Sequence, residues 1–115
     1  MAVEPFKIQI PDSVLDDLKS RLERTRWPEK LADTDWDYGS NLGYVKELVE
    51  YWRTKFDRRG QENLINSFSR FKTDVDGLCI HFIHEKGKGY NPTPLVITHG
   101  WPGTLFEMLK IIPSS

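Results

Sequence analysis

The segment His99-Gly100-Trp101-Pro102-Gly103 follows directly on the apolar run Leu95-Val96-Ile97-Thr98. Ester hydrolysis and related acyl transfers build negative charge on one oxygen, and a fixed N–H aimed at that oxygen is worth about 3 kcal/mol. A loop between a buried strand and a helix can carry such a donor, because the first N–H groups of a helix have no partners within it. Pro102 and its flanking glycines would hold the backbone on an unusual path, and a cis Trp101-Pro102 bond is one form that path can take. A plainer reading stays open on these residues alone, since Gly-x-Pro-Gly also makes a simple tight turn.

Other residue types that do chemistry are present in less suggestive settings. The sequence has no Gly-x-Ser-x-Gly elbow to present a serine nucleophile. Asp57, Asp74 and Asp76 fall at helix-end and hairpin-turn positions, where aspartates cap, turn or face solvent. His81 and His84 share one strand and point to opposite faces, so they do not pair on a metal. His81, beside Cys79 and Ile83, reads as a sheet-packing residue, and Cys79 as a small buried hydrophobe. Gly87-Lys88-Gly89 lacks the spacing of a phosphate loop and the Ser/Thr that follows it. No metal or cofactor site emerges.

Three amphipathic helices and a set of strands must position these groups. Val14, Leu15, Leu18 and Leu22 predict a helix over Ser13–Arg26, opened by Asp12 or Ser13 and stopped by Trp27-Pro28. Val45, Leu48, Val49, Trp52 and Phe56 predict an inward stripe on a helix from about Gly43 to Phe56, closed by Lys55, Arg58 and Arg59. Gln61 to Phe68 predicts a short third helix. The period then changes to two: Phe71–Val75 and Leu78–His84 alternate around Asp76-Gly77, a strong hairpin signal. Pro94–His99 reads as a strand buried on both faces, and Thr104–Ile112 as a last helix ended by Pro113. Strands feeding a helix imply an α/β class, with the change of regime near Ser69.

Composition bounds the partners. The 115 residues include 16 Lys+Arg and 17 Asp+Glu, a net charge of −1 that gives no electrostatic reason to bind nucleic acid or anionic lipid. No apolar stretch approaches the ~20 residues of a membrane span, and the first residues lack the apolar core of a signal peptide. Cys79 is the single cysteine, so no internal disulfide forms. A cytoplasmic protein is expected.

The chain resembles the N-terminal part of the microsomal-type epoxide hydrolases of the α/β-hydrolase superfamily. The resemblance runs nearly end to end: Pro5-Phe6-Lys7-Ile8, Leu18…Arg21-Leu22, Thr25-Arg26-Trp27-Pro28, Gly39…Leu42, Tyr51-Trp52-Arg53, Phe56-Asp57, Gln61-Glu62, Leu64…Asn66, Ile80-His81-Phe82-Ile83-His84-Glu85 and His99-Gly100-Trp101-Pro102-Gly103. Arg58 departs from it, standing where the family usually has Trp. The resemblance implies that residues 1–69 are the family's helical N-terminal segment. Residues 70–115 would open an α/β-hydrolase core with a hairpin, a third strand (Pro94–His99) and the first helix, in an incomplete sheet.

It further implies the chemistry of the parent enzyme. An aspartate attacks a carbon of a small apolar epoxide to form an ester, a His–carboxylate pair activates water to hydrolyse it, and two cap tyrosines protonate the opening ring. No metal or organic cofactor takes part. The Trp101 N–H, supported by His99, Gly100, Pro102 and Gly103, would be one arm of the oxyanion hole in ester hydrolysis. The nucleophile, catalytic histidine and cap tyrosines fall beyond Ser115 in the family, so the chain is expected to be inactive alone. Its third strand would then lack sheet neighbours, and a complementing C-terminal chain or self-association would have to cover it. Two alternatives accompany this reading: a non-catalytic interaction module or remnant that pairs with a related hydrolase, and a parent that is a dehalogenase or esterase.

Overall fold

The computed structural model describes residues 2–112. Its elements are β1 (Val3–Pro5), α1 (Asp12–Glu23), α2 (Leu42–Thr54), α3 (Arg58–Asn66), β2 (Arg70–Val75), β3 (Leu78–Ile83) and a 3₁₀ turn over Leu105–Met108. They divide into two units, one made by Ile10–Arg58 and the other by the residues before Ile10 together with those from Arg59 onward.

The unit Ile10–Arg58 is a helix pair. α1 is opened by Pro11 rather than Asp12 or Ser13, with no side-chain cap, and its first carbonyl bonds are Val14 and Leu15 N–H to Pro11 O. It ends before Arg26 because the Thr25 hydroxyl donates to Leu22 O at 2.8 Å and occupies a terminal carbonyl. α2 begins at an Asn41 cap, whose side chain accepts from the Tyr44 N–H at 3.0 Å. Leu15, Leu18, Leu22, Val45 and Val49 are half-buried, and the Lys46 ammonium lies 5.7 Å from the centre of the Trp27 ring. The rest of the predicted α2 stripe is not inward: Leu48, Trp52 and Phe56 are exposed. Periodicity marks an apolar face, but only a partner element buries it. Lys55, Arg58 and Arg59 also divide differently from the expectation. Lys55 caps α2, whereas Arg58 opens α3, where the Arg59 guanidinium pairs with Glu62 at 3.0 Å.

The other unit is a three-stranded antiparallel sheet, in the order β1-β2-β3, with α3 in the same unit. The hairpin forms where the sequence places it. Asp76 and Gly77 take φ of 53° and 81°, as a tight two-residue turn demands, and Asp74 Oδ1 accepts from the Gly77 N–H at 3.0 Å. The pairs Arg70–Ile83, Lys72–His81 and Asp74–Cys79 share one face, with Glu4 beside Lys72. Phe71–Phe82, Thr73–Ile80 and Val75–Leu78 share the other. Cys79 is exposed, contrary to expectation, because it sits opposite Asp74 next to the turn, on the polar face.

Sequence pattern gives no hint of β1, which is too short to alternate. It is held by partners instead. Val3–Pro5 pair with Thr73–Phe71, and the Phe6 N–H donates to Arg70 O at 2.9 Å. The Asn66 side-chain amide then stands in for a strand: the Ile8 N–H donates to Asn66 Oδ1 at 2.9 Å, and Asn66 Nδ2 donates to Ile8 O at 2.8 Å. The two remaining expectations, a strand over Pro94–His99 and a helix over Thr104–Ile112, are corrected. The first segment has no ladder partner among the described residues, and the second is only the 3₁₀ turn. Pro113 lies outside the described residues.

Beneath β1, the Phe6 ring gathers three basic side chains. His81 meets it edge-on at 4.9 Å, the Arg70 guanidinium lies 5.4 Å from its centre, and the Lys72 ammonium 3.7 Å. Arg70 is 3% exposed and donates through Nη2 to Phe6 O at 3.1 Å, whereas its Nε and Nη1 and His81 Nε2 have no partner among the described residues. Burial lowers the pKa of Arg70, and burial followed by the Arg70 and Lys72 charges lowers that of His81. His81 therefore takes up its proton less readily folded than unfolded, and unfolding is favoured by acid between the two values. Its contribution to stability is complete above the free-histidine value of 6.5 and is lost as pH falls through the lowered folded value.

Two predictions follow from these contacts. Asn66→Ala removes both bonds to Ile8, at about 1 kcal/mol each. Amide exchange at Ile8 and along β1 should quicken roughly tenfold or more, with β3 unchanged; equal loosening of β3 would show that Asn66 does not act locally. His81→Phe keeps the ring contact and removes the orphaned nitrogen, so the melting temperature at pH 7.5 should rise and its fall between pH 7.5 and 5.5 should shrink. An unchanged pH slope would exclude His81 as its source.

Candidate functional site

The loop His99–Gly103 follows a segment that has no ladder partner among the described residues, as expected for a third strand lacking its sheet neighbours, and in which Leu95 is 79% and Val96 88% exposed. These residues form an exposed apolar stretch. Within the loop, the Trp101-Pro102 peptide is cis, and His99 Nδ1 lies 3.1 Å from Gly100 O. The Trp101 side chain is exposed, and among the described residues its backbone N–H has no hydrogen-bond partner.

The chain then turns at once into the 3₁₀ segment. Thr104 is its N-cap: the hydroxyl oxygen accepts from the Phe106 N–H at 3.2 Å, and the Glu107 N–H donates to Thr104 O at 3.1 Å. The Glu107 side chain folds back toward the loop. A methyl group built on Gly103 would stand 2.6 Å from Glu107 Oε2 and 2.7 Å from its Cδ, so the carboxylate occupies the space that a side chain at 103 would need. A side chain at 103 would therefore have to displace the end of the flexible Glu107 side chain. The φ of Gly103 itself is not in the left-handed range, unlike that of Gly77.

The structure brings His99, Gly100, Trp101, Pro102 and Gly103 into one turn with a free N–H at its centre. It brings no second chemical group to them from the other candidates. Asp74 is engaged in the hairpin turn, Asp76 is one of its two left-handed residues, and Asp57 immediately precedes α3. His81 packs on Phe6 on one face of the sheet and His84 lies near Phe71 on the other, as the strand period requires. Among the described residues no group of three or more His, Cys, Asp or Glu could hold a metal ion. No described helix is long and apolar enough to cross a membrane.

Thr104 and Glu107 were overlooked as parts of this site, although a signal was present. Thr-x-x-Glu at the start of a helical turn is the capping-box spacing, in which the acid reaches back toward the N-terminal residues. Arg70 and Asn66 carried no such signal, since their roles arise from contacts with residues about sixty positions away.

Comparison with known proteins now bears on the loop and its scaffold. Residues 3–108 match the family model described as epoxide hydrolase N terminus. A provisionally named epoxide hydrolase of Stigmatella aurantiaca is 50% identical over 111 residues, covering 96% of this chain and 25% of that protein. Epoxide hydrolase 1 of Oryctolagus cuniculus is 42% identical over 116 residues, covering 97% of this chain and 26% of the other. The solved epoxide hydrolase of Aspergillus niger superposes with a TM-score of 0.87 at 30% identity, covering 97% of this chain and 30% of that one. The chain thus spans about a quarter of the length of the curated relatives it matches, and its helices and antiparallel strands are the opening part of an α/β-hydrolase fold. With the family model matched over nearly its whole length, this chain belongs to the epoxide hydrolase N-terminus family.

Proposed function

We propose that this chain supplies the N-terminal scaffold and one oxyanion donor of an enzyme that opens epoxides to vicinal diols. Residues 1–69 act as the helical N-terminal segment and residues 70–115 as the start of the catalytic core. The observation that carries this reading is the unpartnered Trp101 N–H at the centre of the His99–Gly103 turn, in a chain of this family.

In the proposed reaction, an aspartate outside this chain attacks an epoxide carbon. The C–O bond of the ring breaks, the ring oxygen takes a proton, and an alkyl ester remains on the carboxylate. Water activated by a histidine, also outside this chain, then adds to the ester carbonyl. The carbonyl oxygen becomes negative, and the Trp101 N–H donates to it. Collapse of the tetrahedral intermediate releases the diol and regenerates the carboxylate. The donor is part of the main chain, so it acts without reorganising as charge develops. It gives no such help to the first step, in which that oxygen, part of the ionised carboxylate, loses negative charge instead of gaining it.

No described side chain offers a carboxylate and a base to Trp101, which supports inactivity of the chain by itself. The small apolar epoxide would be met by this chain as one wall of a pocket. The exposed Leu95 and Val96 favour a second role, as the surface on which a complementing C-terminal chain docks. The single exposed thiol and balanced charge suit the reducing cytoplasm.

The test is a chimera in which this chain replaces the matching quarter of the Stigmatella aurantiaca relative. With an aryl epoxide, the chimera should form diol, and acid quenching should trap the alkyl ester, seen by mass spectrometry as the mass of one epoxide added to the protein. The 115-residue chain alone should form no diol above the buffer rate. Turnover by the chain alone, or a chimera that folds but forms no ester, would overturn the proposal. Trp101→Ala in the chimera keeps the N–H and should leave ester hydrolysis within a few-fold of the parent. A loss approaching the 10²–10³ of a missing oxyanion donor would place the function in the indole instead.

A further inference from the structure

We propose that Glu107 is a positioning residue for the oxyanion loop, fixing the aim of the Trp101 N–H through its seat against Gly103. The inference rests on the reading of Trp101 given above and adds a residue to it.

Four observations converge on Glu107. Its carboxylate lies in the space beside the Gly103 Cα that a side chain would otherwise fill. Its own backbone N–H is held by Thr104 O at 3.1 Å, so the base of the side chain is fixed to the same turn that its tip covers. The Thr104 hydroxyl accepts from the Phe106 N–H and so caps the same turn. Finally, only Gly103 and Pro102 separate this seat from Trp101, and Pro102 restricts its own φ. That removes one of the torsions between the carboxylate and the amide. Tilting Gly103 is one way to tilt the donor, and Glu107 opposes that tilt.

The 3₁₀ segment is one short turn and cannot hold the loop by its own length. A side chain folded back over the turn performs that task. It also accounts for a glycine at 103 that no left-handed φ demands. The obstacle to an alanine there is the end of a flexible side chain, so Gly103→Ala should expel the carboxylate while leaving the backbone path possible.

The two variants thus remove the same contact by different routes, Glu107→Ala by deleting the carboxylate and Gly103→Ala by displacing it. Both are made in the chimera described above, and rapid-quench mass spectrometry follows ester formation and ester hydrolysis separately. Hydrolysis should slow about tenfold or more in each, with ester formation unchanged, so that the ester accumulates. Glu107→Gln, which keeps the shape and the acceptor oxygen, should restore most of the rate. In the 115-residue chain itself, the Trp101 and Gly103 amide resonances should shift in Glu107→Ala and return toward the parent in Glu107→Gln.

A role confined to stability would lower both steps together, or neither, and either result overturns the proposal. So would unchanged Trp101 and Gly103 resonances in Glu107→Ala. The underlying reading fails in a different way, through a parent chimera that forms no ester at all.

Discussion

Extended backbone must find partners for its N–H and C=O groups, and where this chain finds them decides what it is. β2 and β3 satisfy each other through a two-residue turn. β1 takes the other edge of β2, and when it runs out, the side-chain amide of Asn66 satisfies Ile8 in its place. Pro94–His99 finds nothing equivalent among the described residues and stays extended without becoming a strand. The loop that carries the candidate donor is suspended from that last segment.

The hairpin, the three helices and the family were legible in the residues because each is encoded locally. Asp76-Gly77 names its own turn, and the spacing of Leu15, Leu18 and Leu22 names its own face. What was not legible depends on distant partners. The three residues of β1 have no pattern of their own and are recruited by β2. The outward position of Leu48 and Trp52 could not be read from α2, since an apolar stripe states a preference and not whether a neighbour meets it. Arg58 and Arg59 were read as the end of one helix and prove to open the next, a boundary that charge alone does not fix.

For the site, the pentapeptide itself was visible, but neither the cis form of its Trp101-Pro102 bond nor its support could be fixed from the residues. The motif ends at Gly103, but the acid that seats against that glycine comes four residues later, in a segment whose pattern predicts an ordinary helix. The same holds for His81. Its sequence neighbours suggest routine packing, and only the fold shows two cationic groups and a histidine sharing the ring of Phe6. Among the described residues that cluster leaves three buried nitrogen atoms without hydrogen-bond partners, where most buried polar atoms have one.

The two faces of the sheet differ in kind, Glu4, Lys72, Asp74 and His81 on one and Val3, Phe71, Ile80 and Phe82 on the other. A polypeptide that added itself alongside β3 would meet this contrast at every second residue. Shifted by a single position, it would set its apolar groups beside Cys79 and His81 instead of Leu78, Ile80 and Phe82. The asymmetry of the sheet therefore acts as a filter: it favours a newcomer with matching alternation and opposes slips by an odd number of residues.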